Sequence, residues 1–225
     1  MSRPAPAACG HAGCVRAASE RLLTAASVVT IARTAASMTL AVLGARSESL
    51  SLLVWALAIY WIGDTADGLL ARVMSAETRA GAVLDIVCDR ACAASFYIGF
   101  AWLDPTMALP VAIYLFEFMV VDTYLSLAFL AWPLTSPNYF YLVDRRIWAW
   151  NWSMAGKAVN SAAFAVLVVL TRHPVLATGI AVALLVLKVV STRWLAQVGP
   201  PLPRGCAATA GTPSAQWCSS HGDPR

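Results

Sequence analysis

Four aspartates stand out from an otherwise apolar chain: Asp64, Asp67, Asp85 and Asp89, in the stretch Gly63 to Arg90 that reads GDTADGLLARVMSAETRAGAVLDIVCDR. Ionised groups inside apolar helices are expensive and point to function by default. Asp64 and Asp67 are three residues apart, Asp85 and Asp89 four, so each pair shares one helix face. If the two helices fold back about a turn near Ala76, Asp67 comes level with Asp85 and Asp64 with Asp89. At about 1.5 Å of rise per residue, those layers lie roughly 13–20 Å along the helices from the turn. Four carboxylates then converge, and in a low dielectric they require cations. A donor set made only of carboxylates favours hard divalent ions, Mg2+ or Mn2+, over zinc or copper. Ala71 and Gly81 face each other nearer the turn, where small residues permit close backbone approach or leave a slot for a flat ligand. Gly68 gives similar access beside Asp67, and Arg72 is placed to meet a phosphate at the mouth. The chemistry indicated is metal-assisted transfer involving a diphosphate.

The elements that position these groups must lie in a membrane. The chain has 225 residues, of which 59% are hydrophobic and 12% charged, with a mean hydropathy of +0.66. Soluble domains carry about 25% charged residues, so this composition cannot clothe a water-soluble globule. Disordered, collagenous and disulfide-rich secreted classes are excluded on the same grounds. The net charge of +4 is modest and no basic run suggests nucleic acid. Crossing a bilayer takes roughly 20 apolar residues. Six such spans are read: Leu22–Gly44, Leu50–Ala71, Ala80–Leu103, Met107–Trp132, Trp150–Leu170 and Pro174–Trp194. The expected fold is an all-α integral membrane bundle of six transmembrane helices, with the active site in a cytoplasm-facing cavity.

Residues 1–20 and 197–225 are read as flexible tails around a membrane domain at 21–196. The tails hold Cys9, Cys14, Cys206 and Cys218, with His11 and His221 nearby. Their spacing matches no standard pair of zinc hooks, so free thiols are expected. Cys88 and Cys92 read as small packing residues. An inside N-terminus puts Arg3, Arg16, Arg21, Arg72, Arg79, Arg145, Arg146, Arg193, Arg204 and Arg225 on the cytoplasmic face, against Arg46 and Arg172 outside. By the positive-inside rule, both termini are cytoplasmic.

Asp64-x2-Asp67-Gly68-x2-Ala71-Arg72-x8-Gly81-x3-Asp85-x3-Asp89 resembles the signature of the CDP-alcohol phosphatidyltransferase family, with all eight fixed positions present. The six-span layout is similar to the family's as well. The resemblance implies Asp64, Asp67 and Asp85 as ligands of two divalent ions, Mg2+ or Mn2+. It implies Asp89 as the general base on the acceptor hydroxyl, with a share in the metal shell. Asp67, Gly68, Ala71, Arg72 and Gly81 would form the CDP pocket. The implied reaction displaces CMP from CDP-diacylglycerol in the cell membrane by a polar alcohol, and the implied state is a homodimer. Gly156-Lys157 resembles the Gly-Lys-x-x-Thr of glycerophosphate-type members, with Asn160 in place of the threonine. It favours sn-glycerol 3-phosphate as acceptor, over inositol phosphate or phosphatidylglycerol. Lys157, with Arg145 or Arg146, is the candidate anion site for that acceptor, although interfacial anchoring accounts equally for the two arginines.

Other intramembrane charges stay open at this stage. Thr30-x2-Arg33 resembles a pattern in the family's first helix, so Arg33 faces the diphosphate or acidic cluster, or else pairs with Glu117 or Asp122. Glu117 and Asp122 are five apart and do not share an α-helical face cleanly. Lys188 and Arg193 read as snorkelling side chains. A plainer reading of the hairpin is a helix pair held by ion pairs from Arg72, Arg79 and Arg90. A divalent-cation transporter would use the carboxylates but leaves Gly68, Ala71, Arg72 and Gly81 without a role. A CDP-lipid-binding scaffold without turnover is the third class.

Overall fold

The computed structural model describes residues 23–199, and Cys9, Cys14, Cys206 and Cys218, with His11 and His221, lie outside the described residues. Six helices are long and apolar enough to cross a membrane. In chain order, with one short helix included, they are α1 (Ala25–Arg46), α2 (Leu50–Val73), α3 (Arg79–Leu103), α4 (Pro105–Ala131), the short α5 (Arg145–Asn151), α6 (Met154–Thr171) and α7 (Pro174–Val198). No strand occurs among the described residues. The chain is therefore a multi-pass, all-helical membrane protein, as its composition requires.

Each helix starts on a polar cap. Thr24, Ser49, Thr78, Asp104, Asp144, Ser153 and His173 each accept a backbone N–H of the first turn. Such caps matter more than usual here, because hydrocarbon offers the first N–H groups no alternative partner. Thr24 and Ser27 cap reciprocally, which fixes where α1 begins. Outward positions such as Val28, Ile62, Ile98, Trp102, Leu170 and Val175 are exposed and present an apolar surface to lipid.

The fifth span differs from its expected bounds. Trp150 belongs to α5, and the chain restarts at Ser153 to form α6. Gly156 makes this break possible. A Cβ there would sit 2.8 Å from the Ala149 carbonyl oxygen and 2.9 Å from backbone atoms of Trp150, so only glycine lets α6 start against the end of α5.

α1 packs along both α2 and α3, and α4 packs along α7. The most enclosed span is α3. Its Phe96, Tyr97 and Phe100 are buried, and Tyr97 meets Tyr114 and Phe164 at ring-centroid distances of 4.7 and 5.7 Å. The segment between α4 and α5 lies across the α2–α3 turn. Arg79 donates to the carbonyls of Leu130 and Trp132, and the Tyr139 hydroxyl donates to Glu77 at 2.7 Å. Burial, and then the Glu77 carboxylate, push that hydroxyl's pKa well above its ordinary value. At the start of α5, burial opposes ionisation of Asp144, but hydrogen bonds from Arg146 and two amides hold its pKa below the usual value.

Candidate active site

α2 and α3 bring the four aspartates together, and α1 supplies what the sequence left open. Single carboxylate oxygens of Asp64, Asp67 and Asp85 lie within 4.8 Å of one another. Arg33 from α1 enters the middle of this group. Its Nε donates to Asp67 at 2.8 Å, and its Nη2 donates to Asp85 at 2.5 Å and to Asp89 at 2.9 Å. Asp64 is 3.6 Å from the same nitrogen. The Thr30 hydroxyl, one turn earlier, donates to Asp67 at 2.7 Å. Arg33 thus faces the acidic cluster, and its pairing with Glu117 or Asp122 is set aside.

Oxygens of Asp64, Asp67 and Asp85 form the closest group, and Asp89, one turn beyond Asp85 on α3, meets them at Arg33. A third helix completes the arrangement. α1 packs more extensively on α2 and on α3 than those two pack on each other, so the centre is built by three helices. Among the described residues, no ion pair joins Arg72, Arg79 or Arg90 to the four aspartates, as the plainer helix-pair reading would need. Arg90 pairs with Asp122, and Arg79 is committed to backbone carbonyls.

Two cavities meet at this centre. The larger, about 290 Å³, is lined by Asp64, Asp85 and Asp89. Arg90, Asp122, Asn151, Lys157, Asn160 and Lys188 line it too. The smaller, about 80 Å³, is lined by Asp67, Gly68, Ala71, Arg72 and Gly81, with Ser27 and Thr30 from α1. Asp85 lines both, as do Ala82, Ser136 and Asn138. Among the described residues, a Cβ added at Gly81 would meet only the Thr78 hydroxyl, at 2.9 Å, and no atom of α2 within 4 Å. The space between Ala71 and Gly81 is therefore a slot and not a helix contact.

The larger cavity is also lined by a second ion cluster, which spacing alone did not reveal. Lys188, expected to snorkel, is 1% exposed. Its ammonium donates to Asp122 at 2.6 Å and to Asn151 at 2.9 Å, while Arg90 pairs with the other Asp122 oxygen. Two segments of π-helix, Glu117–Asp122 in α4 and Ala158–Ala163 in α6, present Phe118, Asp122, Asn160 and Ser161 to this cavity. Such bulges recur at functional sites. In a π turn the repeat is longer, so Glu117 and Asp122 come back toward one side. A lysine within a span is costly unless paired, and that cost was the available signal for Lys188.

The sequence profile described as CDP-alcohol phosphatidyltransferase matches residues 23–210, which takes in both cavities. The chain belongs to that family. Among curated proteins and among solved structures, nothing matches it. As a CDP-alcohol phosphatidyltransferase it is a membrane-embedded transferase of substituted phosphate groups in phospholipid synthesis. Of the residues singled out by sequence, Asp64, Asp85, Asp89 and Lys157 face the larger cavity, and Asp67, Gly68, Ala71, Arg72 and Gly81 the smaller. Arg145 and Arg146 line neither. Arg146 instead pairs with Asp144 and lies over the Trp194 ring. Ser136 and Asn138, between the two cavities, escaped sequence reasoning because nothing in a loop's composition places it over a distant hairpin. In this transferase the donor chemistry of Asp64, Asp67 and Asp85 fits a hard divalent ion, being all carboxylate and closely spaced.

Proposed function

We propose that this transferase moves the phosphatidyl group of CDP-diacylglycerol to a polar alcohol, with sn-glycerol 3-phosphate the best-supported acceptor. One observation carries the reading: two differently lined cavities share the Asp85 carboxylate. A two-substrate transfer needs that arrangement, with the donor's reacting phosphorus reachable from the acceptor's side. The smaller cavity is assigned to the nucleotide. Gly68, Ala71 and Gly81 leave space for the cytidine, and Arg72 meets the diphosphate. Asp64, Asp67 and Asp85 would hold two divalent ions, Mg2+ or Mn2+, which neutralise diphosphate charge. Asp89 takes the proton of the acceptor hydroxyl. The new bond joins that oxygen to the β-phosphorus, and the bond to the bridging oxygen breaks as CMP leaves. Lys157 pairs with the acceptor's phosphate. Arg145 and Arg146 are assigned to interfacial anchoring, with both termini cytoplasmic in the cell membrane and two copies of the chain forming a homodimer.

The deciding experiment is CMP release from CDP-diacylglycerol by the purified protein with Mg2+, Mn2+ or chelator. The acceptors to compare are sn-glycerol 3-phosphate, inositol phosphate and phosphatidylglycerol. Release that needs a divalent ion and is fastest with sn-glycerol 3-phosphate is expected. Turnover only with an uncharged alcohol overturns the acceptor assignment and leaves the family chemistry standing.

Two substitutions separate the cavities. Lys157→Ala is expected to raise the KM for the acceptor about tenfold to a hundredfold, the worth of a charge-assisted hydrogen bond. The KM for CDP-diacylglycerol should hardly move, and the opposite pattern would put Lys157 at the nucleotide. Gly81→Leu fills the slot opposite Ala71. It is expected to raise the KM for CDP-diacylglycerol while costing no more stability than the disturbed Thr78 cap, about 1 kcal/mol. A leucine variant normal in KM removes the cytidine from that slot.

A further inference from the structure

The carboxylate centre already contains a cation of its own. The Arg33 guanidinium sits among the three residues whose oxygens suit a divalent ion, and Nη2 alone reaches Asp64, Asp85 and Asp89 within 3.6 Å. A divalent ion held by these carboxylates would stand within a few ångströms of the guanidinium, and at that range in a buried place two cations repel strongly. We propose that Arg33 is a resident counter-ion which divalent metal displaces, so that metal uptake is an exchange of cations and not a simple addition. The inference rests on reading Asp64, Asp67 and Asp85 as metal ligands.

The surroundings of Arg33 are built for this. Its stem passes over Gly63, where an added Cβ would lie 2.5 Å from Arg33 Cδ and 2.7 Å from Arg33 Cβ. The missing side chain immediately before Asp64 is the notch through which the arginine reaches the cluster. The guanidinium is held tightly at one edge and loosely at the other. Nε is fixed on Asp67, whereas Nη1 is buried with no hydrogen-bond partner among the described residues. A buried donor left unpaired costs free energy, which lowers the cost of moving the guanidinium away. The Tyr60 ring, 5.6 Å from the guanidinium carbon, offers a face over which the displaced cation can remain. In the metal-free protein, Arg33 relieves repulsion among four carboxylates that would otherwise push α2 and α3 apart. Its presence then weakens metal binding, since each ion must first displace it.

The test is Mn2+ titration of the full-length protein in detergent without CDP-lipid, with free Mn2+ read by electron paramagnetic resonance and melting temperature followed in parallel. Arg33→Gln is expected to tighten Mn2+ binding about tenfold or more, since a like charge is removed at contact distance. The same variant should melt lower than wild type without metal and gain more from added Mn2+. Arg33→Lys keeps the charge but loses the fork, and should fall between the two. An Arg33→Gln protein that folds only when Mn2+ is present also supports exchange, and Arg33→Lys then supplies the affinity comparison. Binding that is unchanged or weaker in both variants overturns it, because Arg33 would then orient the ligands and not compete for them. The metal reading fails separately. Wild-type uptake that is lost in Asp85→Asn upholds that reading whatever Arg33 does, and no saturable uptake by wild type overturns both.

Discussion

Replacing Asp64, Asp67 or Asp85 by Asn is expected to lower CMP release about a thousandfold or more, the scale on which several kcal/mol of transition-state charge stabilisation is lost. A neutral amide binds a hard ion far more weakly than a carboxylate does. The three variants should differ in stability. Asp64 and Asp85 have side chains 37% and 36% exposed toward the cavities, so their amides remain solvated and the protein should melt normally. Asp67 is 4% exposed and accepts from both Arg33 and Thr30. Its Asn variant leaves the guanidinium short of charge in a buried place and should lose about 1–3 kcal/mol as well. Asp89→Asn should behave differently again, with turnover suppressed and the KM for CDP-diacylglycerol largely kept, because Asp89 faces only the larger cavity. CMP release measured beside thermal unfolding separates these cases. Near-normal turnover in any of the first three removes that residue from the metal shell, and a collapse of CDP-lipid affinity in Asp89→Asn makes it a metal ligand before a base.

The hairpin was legible in the sequence because its information is local. Spacings of three and four within a helix fix a face whatever the neighbours do, and a short turn fixes which faces meet. Thus Asp64, Asp67 and Asp85 come together as their spacing predicts, and Gly68, Ala71, Arg72 and Gly81 line one cavity. What spacing cannot encode is which third helix fills the remaining side. Thr30-x2-Arg33 carried a signal, but choosing between the aspartates and Glu117 or Asp122 requires knowing that α1 nests against Gly63. The fifth span fails for a related reason. Its apolar residues run on through Trp150, and only the Ser153 cap and the closeness of Gly156 to α5 reveal the break. Lys188 reads as an interfacial lysine for as long as α7 is considered without α4.

Asp122→Asn is expected to destabilise the protein more than removal of either cation it serves. Asp122 accepts from Lys188 and pairs with Arg90, and it is 6% exposed. Its removal leaves two buried cations facing each other without their shared anion, and breaking a buried pair costs about 3–5 kcal/mol. Lys188→Met is milder, because the Arg90–Asp122 pair stays balanced. It forfeits the hydrogen bonds to Asp122 and Asn151, about 1–3 kcal/mol. The double variant Asp122→Asn/Lys188→Met should then be more stable than Asp122→Asn alone, since it buries one unpaired charge and not two. Glu117 sharpens the comparison. It is 1% exposed, its two oxygens have no hydrogen-bond partner among the described residues, and it interacts electrostatically with Lys188 and Arg90. Glu117→Gln should therefore cost less than Asp122→Asn, since no hydrogen bond to a cation is lost. Thermal unfolding of the four variants in one detergent reads the order directly. If Asp122→Asn and Lys188→Met lose equal stability and the double variant loses their sum, the three charges act independently and the cluster is not a single unit. If Glu117→Gln is as damaging as Asp122→Asn, the second carboxyl is the missing counter-charge that two cations on one aspartate require.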